Sequence, residues 1–425
     1  MKKIIALLMA LVMVFALAAC GEQAAPAPAQ EAEPTFEFDN DSTAFDTSTL
    51  TEDEVNKIKV GFIFLHDETS TYDLNFMTAA REACEGLGMV EGEDFLIKTN
   101  IPEGQECYDA AAELVDAGCN IVFADSFGHE PFMIQAAKEF PDVQFCHATG
   151  TQAHSTGLSN FHNAFATIFE GRYLGGVAAG MKLNEMIENG EITAEQAKIG
   201  YIGAYPYAEV KSGYTSFFLG ARSVCPSATM EVTFTNSWYD PTLEKEGAIK
   251  LINNDCVLIS EHADSMGAPT ECESKGIPFV FYNGSAEADC PNTFIIASRI
   301  NWTTFLQVMI GRVAKGEVLN GDWTGNLGNG AVEMTALNEK VAAPGTAEKL
   351  EEVKAALIAG TTKVFDTKTF TVGGKELTTY MADVNDLGTF TPDTEVVSDG
   401  YFHESEYRSA PYFDVDIDGI TIIDQ

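Results

Sequence analysis

The sequence predicts an α/β protein of two similar lobes, each built on a parallel sheet and joined by a hinge. Three observations carry this. From Lys57 onward, β-rich runs alternate with helical stretches of ten or more residues, the spacing of right-handed βαβ units. The alternation then repeats in the second half of the chain. Finally, residues 118–126 (GCNIVFADS) parallel residues 255–265 (DCVLISEHADS), each ending in Asp-Ser at the carboxyl end of a strand.

The elements follow in order. Ile58–Phe64 is a β-rich run, followed by a polar loop, His66–Asp73. Asn75–Gly88 carries Phe76, Ala79, Ala80, Ala83, Cys84 and Leu87 at helical spacing and stops at glycine. Strands at 95–97, 120–124 and 143–147 are separated by helices at 108–117 and 131–140. The second half places strands at 198–203, 229–235, 256–260 and 279–282, with helices at 212–224, 243–252 and 265–274 between them. Strand and turn are expected over 323–337, a helix over 348–359 and a hairpin over 365–381 around Gly373-Gly374. Lobe 1 is drawn as 57–163 with about 292–318, and lobe 2 as 164–291 with about 319–382. An acidic, aromatic extension, 383–425, is expected to wrap the second lobe.

The start of the chain reads as an export signal. Lys2-Lys3 precedes an apolar run, Ile4–Leu17, too short for an ordinary membrane span. Leu17-Ala18-Ala19-Cys20 followed by Gly21 looks like a bacterial lipobox, with residues 1–20 as signal and Cys20 as the lipidated residue. Residues 21–56, with Ala-Pro repeats and scattered acids, are expected to form a flexible tether. The reading is an exported protein held by lipid on the outer face of the cytoplasmic membrane.

The 425 residues carry 25 Lys+Arg against 64 Asp+Glu, a net charge of −39. That balance argues against nucleic-acid binding, which needs cations to displace phosphate counterions. Eight cysteines remain after Cys20, and an even number in an exported chain permits disulfides. Several sit in apolar runs, so buried thiols and one or two bridges both stay open. No CxxC pair or HExxH spacing points to a metal, no dinucleotide fingerprint to a cofactor, and no Gly-x-Ser-x-Gly elbow to a nucleophile. Gly171, Gly175, Gly176 and Gly180 read as close packing of a helix on the sheet.

Two facing α/β lobes place a ligand cleft beyond the carboxyl ends of their strands. Asp125, Ser126, Phe127 and Gly128 follow the third strand of lobe 1, with Asp264 as the counterpart in lobe 2. They would offer carboxylates, a hydroxyl, amide N–H groups and a ring. The two aspartates could equally cap the next helices. Asp240-Pro241 reads as a helix cap and first turn.

Several stretches together resemble a known family: the lipobox; the loop 66–76 (HDETSTYDLNF); 170–180 (EGRYLGGVAAG); 199–203 (IGYIG) with Ser212-Gly213-Tyr214 and 218–221 (FLGA); 236–241 (NSWYDP); and 299–302 (RINW). They are similar to the basic membrane protein (PnrA-like, Med-like) family of lipoproteins over most of residues 57–340. The resemblance implies a type I periplasmic-binding fold of two Rossmann-like lobes, and a non-enzymatic solute receptor that delivers a purine nucleoside or related molecule to an ABC permease and ATPase. It places Asp67, Tyr72 and Asp73 at the family's base-binding motif, with Asp73 standing where an Asn is usual. Tyr72 would stack on the base or else pack between lobes, and Trp238 would close over the opposite face. Asn283 and Arg299 flank the returning crossover, where the family has a ribose-binding Lys that this chain lacks. The implied ligand site is therefore Asp67, Tyr72, Asp73, Ser126, Phe127, Gly128, Trp238, Asp264, Asn283 and Arg299. Competing readings are a ligand-sensing or surface-interaction lipoprotein without a transporter, and a nucleoside-processing enzyme, for which the chain shows no aspartate cluster.

Overall fold

The computed structural model describes residues 39–384 and 391–423. The expected signal, Cys20 and the first half of the expected tether lie outside the described residues. No described helix is long and apolar enough to cross a membrane.

The strands are β1 (Asn40–Asp41), β2 (Val60–Ile63), β3 (Phe95–Lys98), β4 (Ile121–Ala124), β5 (Gln144–Ala148), β6 (Phe161–Ala166), β7 (Lys198–Gly203), β8 (Thr229–Phe234), β9 (Leu258–His262), β10 (Phe279–Tyr282), β11 (Phe294–Ile300), β12 (Asp322–Gly325), β13 (Val332–Met334) and five short strands, β14 (Met381–Ala382), β15 (Thr394–Glu395), β16 (Val397–Ser398), β17 (Tyr401–Phe402) and β18 (Ile420–Ile422). The helices are α1 (Glu52–Val55), α2 (Thr71–Glu85), α3 (Gln105–Asp116), α4 (Glu130–Glu139), α5 (Ala153–Thr156), α6 (Ile168–Glu188), α7 (Ala208–Val224), α8 (Pro241–Asn253), α9 (Gly267–Lys275), α10 (Thr303–Lys315) and α11 (Thr346–Ile358).

Two seven-stranded sheets form. The first runs β1-β12-β6-β5-β4-β2-β3 and the second β13-β11-β10-β9-β7-β8-β18. Read from β3 and from β8, both give the doubly wound order 2-1-3-4-5, over β2–β6 in the first sheet and β7–β11 in the second. The two halves are thus the same unit twice. In each sheet the strand order reverses between the first and third strands, β2/β4 and β7/β9, and such switch points leave a crevice at the carboxyl ends. The central strands β2, β4, β9 and β10 are buried on both faces, which explains the continuous apolar runs of β2, β4 and β10, while β9 turns polar at Ser260, Glu261 and His262 as it reaches the cleft end.

The lobe boundaries differ from those expected. Residues 294–300, assigned to lobe 1, form β11 of the second sheet, pairing β10. Residues 322–325, assigned to lobe 2, form β12 of the first sheet, pairing β6. Only α10, which lies against α2, stays with lobe 1 as expected. The chain therefore crosses between lobes three times, after β6, β11 and β12. The tether ends earlier than residue 56: β1 extends the first sheet on β12, Thr51 caps α1 with Glu54 in a capping box, and Lys315 pairs with Glu54 at 2.8 Å. The expected hairpin at 365–381 is a tight turn with one bridge, Val372 to Lys375.

The C-terminal extension touches both lobes rather than one. Ser409 donates its N–H and hydroxyl to Asp322 Oδ1 in the first sheet at 2.8 and 2.7 Å. Asn40 donates to the Ser405 carbonyl at 3.2 Å. On the other side Ser212 donates to Glu404 at 2.5 Å, and β18 pairs with β8.

The glycine-rich helix α6 serves two neighbours. A Cβ at Gly171 would meet Ser298 and Val332, and at Gly175 Val280, all in the second sheet. At Gly176 it would lie 1.9 Å from the Phe217 carbonyl oxygen and at Gly180 2.5 Å from that of Ala221, both on α7. The bare backbone lets α6 and α7 touch. All eight described cysteines are free and buried; burial pushes the Cys84 thiol up to about 12.

Candidate functional site

A cleft of about 390 Å³ opens between the lobes at the two switch points. From lobe 1 it is walled by Leu65 and His66 after β2, Tyr72 and Asp73 on α2, Ser126 and Phe127 after β4, and Thr149 after β5. From lobe 2 come Glu209 on α7, Trp238 after β8, His262 ending β9, Asp264 just beyond it and Tyr282 ending β10. Among these lining residues there is neither Lys nor Arg.

The N-terminus of α2 organises the lobe 1 wall. Helix α2 begins at Thr71, so Tyr72 and Asp73, expected in a loop, ride its first turn. Ser70 is the cap: its side chain accepts from the Asp73 N–H at 3.2 Å and donates to Asp73 Oδ2 at 2.5 Å. Asp73 also accepts the His66 N–H at 2.7 Å. Burial opposes its ionisation, but the hydrogen bonds from His66 and Ser70 outweigh that and hold its carboxyl below the ordinary value. The carboxylate thus closes the loop on the helix, with His66 and Asp73 both at the cleft surface.

Tyr72 is fixed at both ends. Its hydroxyl donates to the Asp125 carbonyl oxygen at 2.8 Å, and its ring meets Phe76 edge-on at 4.9 Å. Phe76 in turn stacks on Trp302 at 4.3 Å. Trp238 is braced edge-on by Tyr205 at 5.3 Å. Phe127 is 43% exposed, and its ring reaches Tyr207 of the other lobe at 5.9 Å. His66 meets Tyr239, also across the cleft, at 5.4 Å. Held rings of this kind lose little entropy on meeting a flat ligand.

The acidic groups differ in charge state. Burial, followed by the Asp73 charge, pushes the carboxyl of Asp125 well up. Asp264 is raised by burial, then by Asp73 and Glu244. Burial lifts Glu209 to about 7. His262, within 3.3 Å of Glu209, is driven well down by burial and by Arg172, so its ring is neutral. Arg172 lies over the Tyr282 ring at 3.5 Å. Neutral carboxyls both donate and accept, whereas Asp73 only accepts.

Six of the ten expected site residues line this cleft: Tyr72, Asp73, Ser126, Phe127, Trp238 and Asp264. Four do not. Asp67 is half-buried and accepts from the N–H and hydroxyl of Thr69 in its own turn. Gly128 gives its N–H to Glu103 at 2.8 Å, and a Cβ there would strike that carboxyl. Asn283 is buried behind β10 with φ +63°. Arg299 pairs with Glu333 at the β11/β13 edge. The cap readings resolve as well. Asp240 caps α8, accepting from Thr242 and Leu243 at 3.0 Å. Neither Asp125 nor Asp264 caps a helix: Asp125 accepts the Leu65 N–H at 3.2 Å, and Ser265, not Asp264, takes the Gly267 N–H.

His66, Thr149, Glu209, His262 and Tyr282 were missed. All but Glu209 stand at or just past the carboxyl end of a parallel strand, a rule that alone would have found them. Thr149, β-branched, holds φ +66°, a costly conformation of the kind that concentrates at functional sites.

Comparison with known proteins agrees with this architecture. The Bmp family model, described as ABC transporter substrate-binding protein PnrA-like, matches residues 60–367. A purine-binding protein of Brucella abortus is 33% identical over 270 residues, covering 63% of this chain and 70% of that protein. A protein of Haloferax volcanii described as a glucose-binding protein of an ABC transporter is 32% identical over 186 residues, 44% of either chain. Among solved structures, an ABC transporter solute-binding protein of Conexibacter woesei superimposes with a TM-score of 0.59 at 18% identity, over 72% of this chain and 98% of that one. One of Aeropyrum pernix gives 0.60 at 17% identity, over 72% and 93%. The fold is the type I periplasmic-binding fold, and the chain belongs to the PnrA-like family of ABC transporter substrate-binding proteins.

Proposed function

We propose that the cleft takes a purine nucleoside or a close relative, and that the protein presents it to an ABC permease and its ATPase while held to the membrane by lipid on Cys20. The observation that carries the ligand class is the composition of the cleft. Braced aromatic rings enter from both lobes, the polar groups between them are carboxyls, hydroxyls and the imidazoles of His66 and His262, and no Lys or Arg lines the cleft. A flat uncharged base fits the rings, since offset stacking and apolar burial favour it. Its ring N–H, amino and hydroxyl donors meet Asp73 and Glu209. A nucleotide phosphate would face that same acidic wall without a counter-charge. The name of the Brucella relative points the same way, while that of the Haloferax relative makes a hexose the natural competitor.

The test is calorimetric titration of guanosine, adenosine, inosine, cytidine and glucose. A purine nucleoside should bind best. Glucose alone binding, or no member of the panel binding, would overturn the ligand assignment.

A further inference from the structure

The cleft is not a closed chamber. Beside it lies a second compartment of about 1210 Å³, and Phe127, Thr149, Glu209 and Trp238 form part of the wall of both. Its far wall is built by the C-terminal extension, beyond the residues 60–367 that the family model matches. Tyr380, Met381, Ala382, Ala410, Pro411 and Tyr412 stand there, facing Pro206 and Tyr207. This face is held in place: the Tyr380 hydroxyl donates to the Asp414 carbonyl at 2.8 Å, and Lys211 of α7 pairs with the Asp414 carboxylate at 2.7 Å. Arg408, also on this wall, is buried and donates to the carbonyls of Val384, Ala410 and Pro411.

We propose that this second compartment is a subsite for an uncharged apolar or aromatic substituent carried by the ligand, so that the preferred ligand is larger than an unmodified nucleoside. The proposal rests on the purine-nucleoside reading of the first cleft. Three features point to the substituent's chemistry. The wall is mainly aromatic and aliphatic, so it gains by burying apolar surface. Three acids, Glu209, Asp383 and Asp414, stand on it against one cation, Arg408, whose guanidinium is engaged by backbone carbonyls, and that balance disfavours an anionic group. And Trp238, Phe127 and Thr149 are shared, so one molecule can occupy both spaces without a gap. A substituent seated there converts the second contact into an intramolecular one, which adds affinity with little further loss of freedom.

The experiment compares adenosine with N6-benzyladenosine and 5′-O-benzyladenosine, which carry the same aryl group at opposite ends. The variants are Met381→Trp, to fill the compartment, and Met381→Asp, to charge it. Met381 is 45% exposed and stands outside the first cleft, so adenosine binding serves as the control. One benzyl derivative should bind wild type at least about tenfold more tightly than adenosine, and both variants should erase that gain while keeping adenosine affinity. Equal or weaker binding of both derivatives, or a gain that survives both variants, overturns the subsite. If wild type binds no nucleoside, the purine reading falls, and benzyl alcohol titrated against tryptophan emission decides the compartment alone. Trp238 lines it while Trp302 and Trp323 are buried. A saturable change lost in Met381→Asp supports the subsite, and no such change refutes it.

Discussion

Thr71 of lobe 1 gives both its backbone N–H and its hydroxyl to one acceptor, the carbonyl oxygen of Asp264 in lobe 2, at 3.0 and 3.1 Å. One residue further along each segment, Tyr72 belongs to the cleft wall and Ser265 to the entry of the next helix. The lobes therefore meet at the edge of the ligand site through a pair of bonds, which opening of the cleft would have to break. Thr71→Val keeps the amide bond and removes the hydroxyl bond. A neutral hydrogen bond contributes about 1 kcal/mol, so the closed form should weaken and ligand affinity fall roughly fivefold. Calorimetry reads the affinity, and small-angle scattering at saturating ligand should show the same final radius as wild type. Unchanged affinity would show that the contact does not stabilise closure.

Tyr72→Ala and Trp238→Ala should each weaken a purine nucleoside by about tenfold or more, since stacking on an aromatic side chain is worth roughly 1–3 kcal/mol. Tyr72→Phe separates the roles: it keeps the ring and loses the bond to the Asp125 carbonyl, and should cost much less. Titration of the three variants decides. Full affinity in both alanine variants would make these rings packing residues only.

Three buried glutamates should each subtract stability as pH rises from about 5 to 7, while the buried His129, His147 and His162, lowered to about 4, act with the opposite sign. Burial raises Glu209, Glu244 and Glu404 from 4.5 to about 7. In that window the folded protein keeps protons that the unfolded chain has released, so unfolding becomes easier with increasing pH. Below about 4.5 both states are protonated and this contribution is fully present; above about 7 it has been lost. Thermal unfolding of wild type and Glu209→Gln across pH 5–8 should show the decline as a falling difference between them. A melting-temperature difference between wild type and Glu209→Gln that does not fall through that range would contradict the assignment.

Gly176→Ala should destabilise the second lobe by about 1–3 kcal/mol, the usual cost of overpacking, because the new methyl group would fall on the Phe217 carbonyl. Gly190→Ala would instead be strained only by its backbone, at φ +72° with open space around it. Chemical denaturation of the two variants compares steric overlap with backbone strain directly.

Cys20→Ala should abolish lipid attachment. The variant should leave the membrane fraction or accumulate unprocessed. Wild-type fractionation and processing in the variant would refute the lipobox reading.

Local chemistry was legible where it is self-contained. The strands at 198–203 and 279–282 were read to the residue, because buried central strands announce themselves as short apolar runs with clear ends. The start of α2 was missed because Ser70 looks like one more polar loop residue until its bond to Asp73 is seen. Strand β6, Phe161-His162-Asn163-Ala164-Phe165-Ala166, breaks the apolar run with two polar side chains that find partners only in the fold, His162 on the Asn320 carbonyl and Asn163 on Glu130. Strand β12 went to the wrong lobe because it pairs with β6 more than a hundred residues earlier, which no local pattern encodes, whereas β11 pairs with its near neighbour β10 and was misplaced by setting the crossover one strand too early. Among site residues, Tyr72 and Trp238 stood out as aromatics in turn-rich segments, while Glu209 resembles any surface acid at a helix start until burial changes its protonation.

The C-terminal segment touches Asp322 and Asn40 on one side and α7 and β8 on the other. A two-lobed receptor with three crossovers behaves like a door on one edge; this chain adds a check strap. The strap limits how far the door can swing, so the ensemble of open conformers is smaller than three linkers alone would allow. Less wandering in the open state means less disorder to surrender when the lobes come together. The same strap narrows the entrance, so exchange of ligand should be slower in both directions even where affinity is unchanged. Residence time, beside equilibrium binding, is then a quantity this extension should tune.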